Sequence, residues 1–161
     1  TSTCGLHVHV NRDSLGKNRE EQDEVISRIL YFVEHHWNEM LKFSRRSEYT
    51  MNRWAARYGY ENSPKAIMDK AKKNCGRYVA VNLCNYHTIE FRLFRGTLKY
   101  NTLIATLELV NQICELAVLM NDDEIAKLSW SKFVAGITEP ELIQYLKERQ
   151  LYINEKITSE E

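Results

Sequence analysis

The chain has 161 residues, 22 basic and 22 acidic, and 43% of it is hydrophobic, which is one domain's worth and enough to bury a core. Balanced charge argues against a general nucleic-acid or anionic-membrane binder, which carries a net positive field. No apolar run approaches the ~20 residues that span a bilayer, and the opening residues are too polar for a signal peptide, so no nucleic acid and no membrane is expected as a partner.

Residues 4–11 alternate strictly, with Leu6, Val8 and Val10 on one side and His7, His9 and Asn11 on the other, as a half-buried strand requires. With no initiator Met and almost no lead-in before Cys4, the chain reads as cut from something longer. Residues 13–16 make a turn. From about residue 18 to 43 the period becomes helical: Val25, Ile29, Phe32, His36 and Met40 form one stripe, with Leu30, Val33, Trp37 and Leu41 beside it. Asn18 is the expected N-cap, with Glu20 and Glu21 in the first turn.

The stretch 44–62 is basic and aromatic, holding Arg45, Arg46, Arg53, Arg57, Tyr49, Trp54, Tyr58 and Tyr60. It is expected to wall or cover a substrate pocket rather than to stack single-stranded nucleic acid. Ser63 and Pro64 open a second helix to about residue 73. Strands follow near 78–84 and 88–94, joined by a short turn at 85–87. A strong helix runs from about 101 to 120, with Leu103, Leu107, Val110, Cys114 and Ala117 as its core stripe. Shorter helical pieces follow, one entered at Thr138-Glu139-Pro140, and then a polar tail. The order strand, long helix, hairpin, helices predicts an α+β fold with a mainly antiparallel sheet flanked by helices. Trp37, Trp54 and Trp130 are assigned to the core or its edges, and His36 to the core rather than to a metal. Cys4, Cys75, Cys84 and Cys114 show no Cys-x-x-Cys pair. They read as reduced thiols in a cytoplasmic protein.

Two segments place charged groups two residues apart on a strand face. In His7-Val8-His9, side chains at i and i+2 share a side, roughly 7 Å apart, so two imidazoles can reach one ion. The simpler reading is a pair of histidines on a solvated face. In residues 88–97, Ile89, Phe91 and Leu93 form the apolar side and Glu90 and Arg92 the other; alone, this is an ordinary salt-bridge face. Together in one sheet, the two segments present imidazole, carboxylate and guanidinium at once. Imidazole and carboxylate can hold a divalent ion, and an Arg fork suits phosphate or carboxylate. That combination serves phosphoryl transfer.

The run Cys4-Gly5-Leu6-His7-Val8-His9-Val10 resembles the Gly-Met-His-x-His segment of glutamine synthetases. Residues 88–97 resemble the Glu-x-Arg strand of the same superfamily. With Arg77-Tyr78-x-Ala80-Val81-Asn82 between them and Ser44-Arg45-Arg46 after the long helix, the wording is most similar to the amidoligase family, over roughly residues 4–120. The resemblance implies an ATP- and Mg²⁺- (or Mn²⁺-) dependent carboxylate–amine ligase. Its catalytic residues would be Arg92 and Glu90, its metal ligands His7 and Glu90, and its nucleotide contacts His9 and Arg92, with Arg45, Arg46 and Arg77 as candidates for binding nucleotide phosphate or the acyl substrate. Asn82 and Arg95 would support them, although Arg95 reads equally as a cap on the sheet edge. The substrates would be a carboxylate and an amine of peptide, protein or cell-wall origin.

The sequence departs from this superfamily in lacking the early Glu-x-Glu strand that supplies further metal ligands. Glu20-Glu21, Asp122-Asp123 and Glu160-Glu161 are adjacent pairs that face different directions. The residues present therefore read as half an active site, the C-terminal portion of a catalytic domain. Two other readings stay open: a metal-dependent hydrolase using His7, His9 and Glu90, disfavoured by Arg92 beside the cation, and a non-catalytic binding module on the same fold.

Overall fold

The alternation of residues 4–11 becomes β1 (Gly5–Asn11), whose residues are exposed and half-buried in turn. Leu6, Val8 and Val10 pack on the core while His7 and His9 face outward. The computed structural model describes residues 4–74 and 76–153, so Cys75 and the Glu160 and Glu161 pair lie outside the described residues. The sheet has three antiparallel strands, with β3 (Thr88–Arg95) central between β1 and β2 (Val81–Asn82).

β2 is shorter than the expected strand at 78–84 because its neighbours' backbone groups are used elsewhere. Val79 forms an isolated parallel bridge to Ala56, and Ala80 N donates to Ala56 O. On the far side, the buried Arg12 guanidinium donates to Leu83 O at 2.8 Å and Asn85 O at 3.2 Å. One side chain from the turn after β1 thus holds the loop that enters β3.

Asn18 caps α1 (Arg19–His35) by accepting from Glu21 N. The single helix expected over 18–43 is in fact two, because the backbone leaves helical geometry at His36 (φ −107°, ψ 34°) before α2 (Trp37–Ser44) begins. No Pro or Gly lies in the segment to explain the break. His36 is instead packed between Phe32, ring centroids 4.7 Å apart, and Trp130 at 5.8 Å.

Burial, and then neighbouring His35, pushes the His36 imidazole down to about 4 from 6.5, so the folded protein holds it neutral. The unfolded chain takes up a proton below 6.5. Stability from this group is therefore fully present above about 6.5 and is lost as pH falls toward 4. The expected loss by about pH 4.5 is roughly 2–3 kcal/mol. Urea midpoints across that window should fall for the wild type and stay flatter for His36→Gln; parallel curves would remove His36 as the cause.

The basic and aromatic stretch contains α3 (Glu48–Trp54), started by Ser47, and α4 (Pro64–Lys72) follows with Ser63 as its cap. Four helices complete the described chain: α5 (Tyr100–Leu119), α6 (Asp122–Lys127) behind an Asn121–Glu124 capping box, α7 (Trp130–Ala135) and α8 (Pro140–Glu148). α1 packs on α4 and α5, and α5 on α8. The result is α+β, with a three-stranded antiparallel sheet flanked by helices.

Two expectations about α5 are corrected. Its buried residues include Ala105, Leu109, Val110, Ile113, Cys114 and Ala117, whereas Leu107 is exposed and Leu103 half-buried. The buried face is rotated because α1 and α8 both claim it, leaving one apolar flank beside β1. α5 is also 20 residues long and apolar enough, by length and composition, to cross a membrane. Eight of its 20 residues are buried against the rest of the chain. Trp130 is buried as expected and donates from its indole N–H to Leu151 O, while Trp54 lies at the edge. Cys84 and Cys114 are free thiols, and Cys84 is exposed despite its apolar setting in sequence.

Candidate functional site

Strand register assembles the site. Across β3, Glu90 stands opposite His9 of β1 on one side and Asn82 of β2 on the other. Next to this row the ladder is irregular: Leu6 opposes Phe94 and Val8 opposes Phe91, so His7 alone faces Arg92 and Leu93. This is a β-bulge, which re-aims side chains.

Glu90 is only 6% exposed, and a buried carboxylate must be paired. His7 Nδ1 and Arg92 Nη1 each lie 3.0 Å from Glu90 Oε1, with His9 Nε2 at 3.7 Å. Asn82 Nδ2 donates to Oε2 at 2.9 Å, and Asn82 Oδ1 accepts from Cys84 N, which holds the amide in place. His9 is steadied by Thr88 Oγ1, 3.1 Å from its Nδ1.

These contacts set the protonation states. Burial alone raises the Glu90 carboxyl, but the Asn82 hydrogen bond, Arg92 and the two histidines outweigh it and hold the carboxyl below its ordinary range. Burial, then Arg92, lowers His7, with Glu90 opposing and Arg46 and His9 adding to the lowering. The pair thus favours carboxylate beside neutral imidazole, the forms that donate to a cation.

Arg92 also lies over the Tyr78 ring at 5.5 Å, and Arg77 flanks the same ring at 5.0 Å while donating to the Tyr78 hydroxyl. Arg46 approaches from the end of α2: a Cβ on Gly5 would meet its Nη2 at 2.5 Å and His7 Nε2 at 3.0 Å. Only glycine leaves room for that approach. The Nε atoms of Arg46 and Arg92 are both buried without a hydrogen-bond partner, an arrangement that calls for an explanation.

The structure therefore brings together His7, His9, Asn82, Glu90 and Arg92, with Arg46 adjoining and Arg77 exposed at the rim. Arg45 and Arg95 lie beyond Arg46, where Arg45 Nη2 donates to Arg95 O. Arg57, expected in a pocket wall, is drawn instead to Glu34. Of the weighed acidic pairs, Glu20 and Glu21 sit in the first turn of α1 and Asp122 pairs with Arg28. Sequence reasoning missed the aromatic platform of Tyr78, although its alternation with Ala80 and Asn82 next to Arg77 was a usable signal.

Among the described residues, no group of three or more His, Cys, Asp or Glu side chains is placed to hold a metal ion by itself. His7 and Glu90 offer two ligands, short of the six oxygens Mg²⁺ prefers, so phosphate and water would have to fill the shell. Around that lone carboxylate the charge is positive, from Arg92, Arg46 and Arg77. Such a surface suits a bound anion, with or without a counter-cation. No family model, no curated protein and no solved structure matches the chain.

Proposed function

We propose that this chain carries part of the active site of an ATP- and Mg²⁺-dependent carboxylate–amine ligase of the amidoligase kind. The observation behind this reading is one buried carboxylate, Glu90, joined to His7 at 3.0 Å and to Arg92 at 3.0 Å, with the Arg46 and Arg77 guanidiniums adjoining. His7 and Glu90 would hold the cation, which when bound neutralises phosphate charge. Arg92 holds the transferring phosphoryl group: its Nη1 is anchored by Glu90 and its face rests on Tyr78. His9 and Arg46 orient the remaining phosphate oxygens, with Arg77 at the rim. Asn82 keeps Glu90 in register.

In the first step, a carboxylate oxygen bonds to the γ-phosphorus as the β–γ bridging bond breaks, giving acyl phosphate and ADP. An unprotonated amine then bonds to the acyl carbon, phosphate leaves with the electrons of the C–O bond, and the nitrogen releases one proton to solvent or to the departing phosphate. Phosphorylation is needed because a carboxylate is a poor electrophile. The substrates are carboxylates and amines of peptide, protein or cell-wall origin, and the expected setting is cytoplasmic.

The hydrolase reading is less well supported, because Arg92 Nη1, 3.0 Å from Glu90 Oε1, sets positive charge beside the cation with no phosphate in that reaction to offset it. The deciding assay supplies ATP, Mg²⁺ and pools of carboxylates and amines to the full-length protein and follows ADP and phosphate. Turnover that needs both co-substrates is the expected result. Metal-dependent cleavage without ATP would install the hydrolase, and neither activity would leave a binding module.

A further inference from the structure

Beyond Arg46, away from Glu90, lies a pocket of about 530 Å³, a volume ordinary for a small-molecule site. It sits where the ends of α2, β3 and α8 meet. Five cationic side chains line it, Lys42, Arg45, Arg46, Arg95 and Arg149, and no acidic side chain does. None of these five forms an ion pair with a carboxylate among the described residues.

The arginines are fixed by neutral backbone carbonyls rather than by counter-charges. Arg45 Nη2 donates to Arg95 O at 2.8 Å, and Arg46 Nη2 to Phe94 O at 3.3 Å. Arg149 donates through Nε and Nη2 to Lys42 O at 3.1 and 2.9 Å. Carbonyl anchors orient a guanidinium without neutralising it, so the positive charge is pre-positioned, and no carboxylate among the described residues cancels it. Arg45 is also held in the left-handed region at φ 61°, a helix-end position that favours glycine. Arg46 belongs to both surfaces: it adjoins His7 at one end and lines this pocket at the other, with its Nε buried and unpartnered.

We infer that this pocket binds the non-reacting carboxylates of the acyl donor, so that the donor is a polycarboxylate of the acidic-peptide class. The inference rests on the ligase reading in one respect. If the nucleotide phosphates lie against His7, His9 and Arg92, the attacking carboxylate must enter beside Arg92, and the rest of its molecule extends past Arg46 into the cationic pocket. The charge there then dictates what that remainder carries. Planar guanidinium forks match carboxylates in two-point contacts, and several uncancelled forks in one concavity select a ligand with several carboxylates.

The test titrates triglutamate into the full-length protein by calorimetry at low salt, without nucleotide, with tripolyphosphate as a parallel probe. Lys42→Glu and Arg149→Gln are the pocket variants, since Lys42 is exposed, Arg149 is half-buried at the surface and neither belongs to the Glu90 cluster. Triglutamate should bind, and each variant should weaken it at least about fivefold, while Arg92→Ala changes it less. For tripolyphosphate the ranking should reverse. Failure of triglutamate to bind, or indifference to both pocket variants, overturns the inference, as does tripolyphosphate binding that depends on Lys42 and Arg149 more than triglutamate binding does. The two readings fail separately. ADP formation with simple monocarboxylates and no triglutamate binding removes the pocket assignment alone. Triglutamate binding through Lys42 and Arg149 with no ADP formed from any carboxylate removes the ligase and leaves a polycarboxylate-binding pocket.

Discussion

Arg92→Ala is expected to lower ATP-dependent phosphate release by about 10³-fold or more, the scale on which phosphoryl-transfer arginines act. Its guanidinium has one end tied to Glu90 Oε1 at 3.0 Å and its plane laid over Tyr78, so it is oriented before any ligand arrives. Arg92→Lys should recover little, because a point charge replaces a planar fork. The fold should survive. Glu90 keeps Asn82 Nδ2 and His7 Nδ1 as partners, and the apolar side of β3, with Ile89, Phe91 and Leu93 fully buried, is untouched. Rates would be read alongside urea midpoints on the same preparations. A near-normal rate in Arg92→Ala refutes the assigned role, whereas a lost rate with a collapsed midpoint would mark Arg92 as structural.

Glu34→Ala should cost about 3–5 kcal/mol of stability, as removal of one partner from a buried charge pair does. Glu34 is 3% exposed in α1 and organises the return of the basic and aromatic stretch. Its Oε2 accepts from Arg57 Nε at 2.8 Å and Gly59 N at 3.2 Å, and its Oε1 from Tyr58 N at 2.7 Å. Gly59 itself sits at φ 98°, a conformation that suits glycine. Truncation strands two backbone donors and a guanidinium together. The damage should spread to the sheet, because Tyr58 hydroxyl donates to Val81 O beside the candidate site. Glu34→Gln, which keeps an acceptor for Tyr58 N, should lose roughly half as much. Chemical denaturation decides it, and a loss under about 1 kcal/mol for the alanine variant would contradict the network described.

Much of the fold was legible because its signals are local. The alternation of Leu6, Val8 and Val10 and the helical spacing of Val25, Ile29 and Phe32 each follow from backbone geometry and burial on one side. Asn18, Ser63 and Pro64 mark helix starts by satisfying, or dispensing with, backbone donors that any helix leaves free. The break at His36 was not legible, since no residue there forbids a helix. It depends on Phe32 and Trp130 packing against the imidazole, and Trp130 is far along the chain. The exposed Leu107 was misassigned for a similar reason: apolar spacing marks a candidate face, while α1 and α8 determine which face is covered.

The same division runs through the site. Sequence alone placed His7, His9, Glu90 and Arg92 on strand faces, because side-chain direction on a strand depends only on parity. It also determined the charge balance and the α+β order of elements. Only the tertiary structure decided that β1 and β3 are neighbours, that a bulge sets His7 against Arg92, and that Arg46 reaches His7 across Gly5. It alone gathered Lys42, Arg95 and Arg149, more than 50 positions apart on separate elements, into one pocket without an acidic side chain in its lining. Pairing register, close approach and charge density are properties of residues distant in the chain, and no local pattern encodes them.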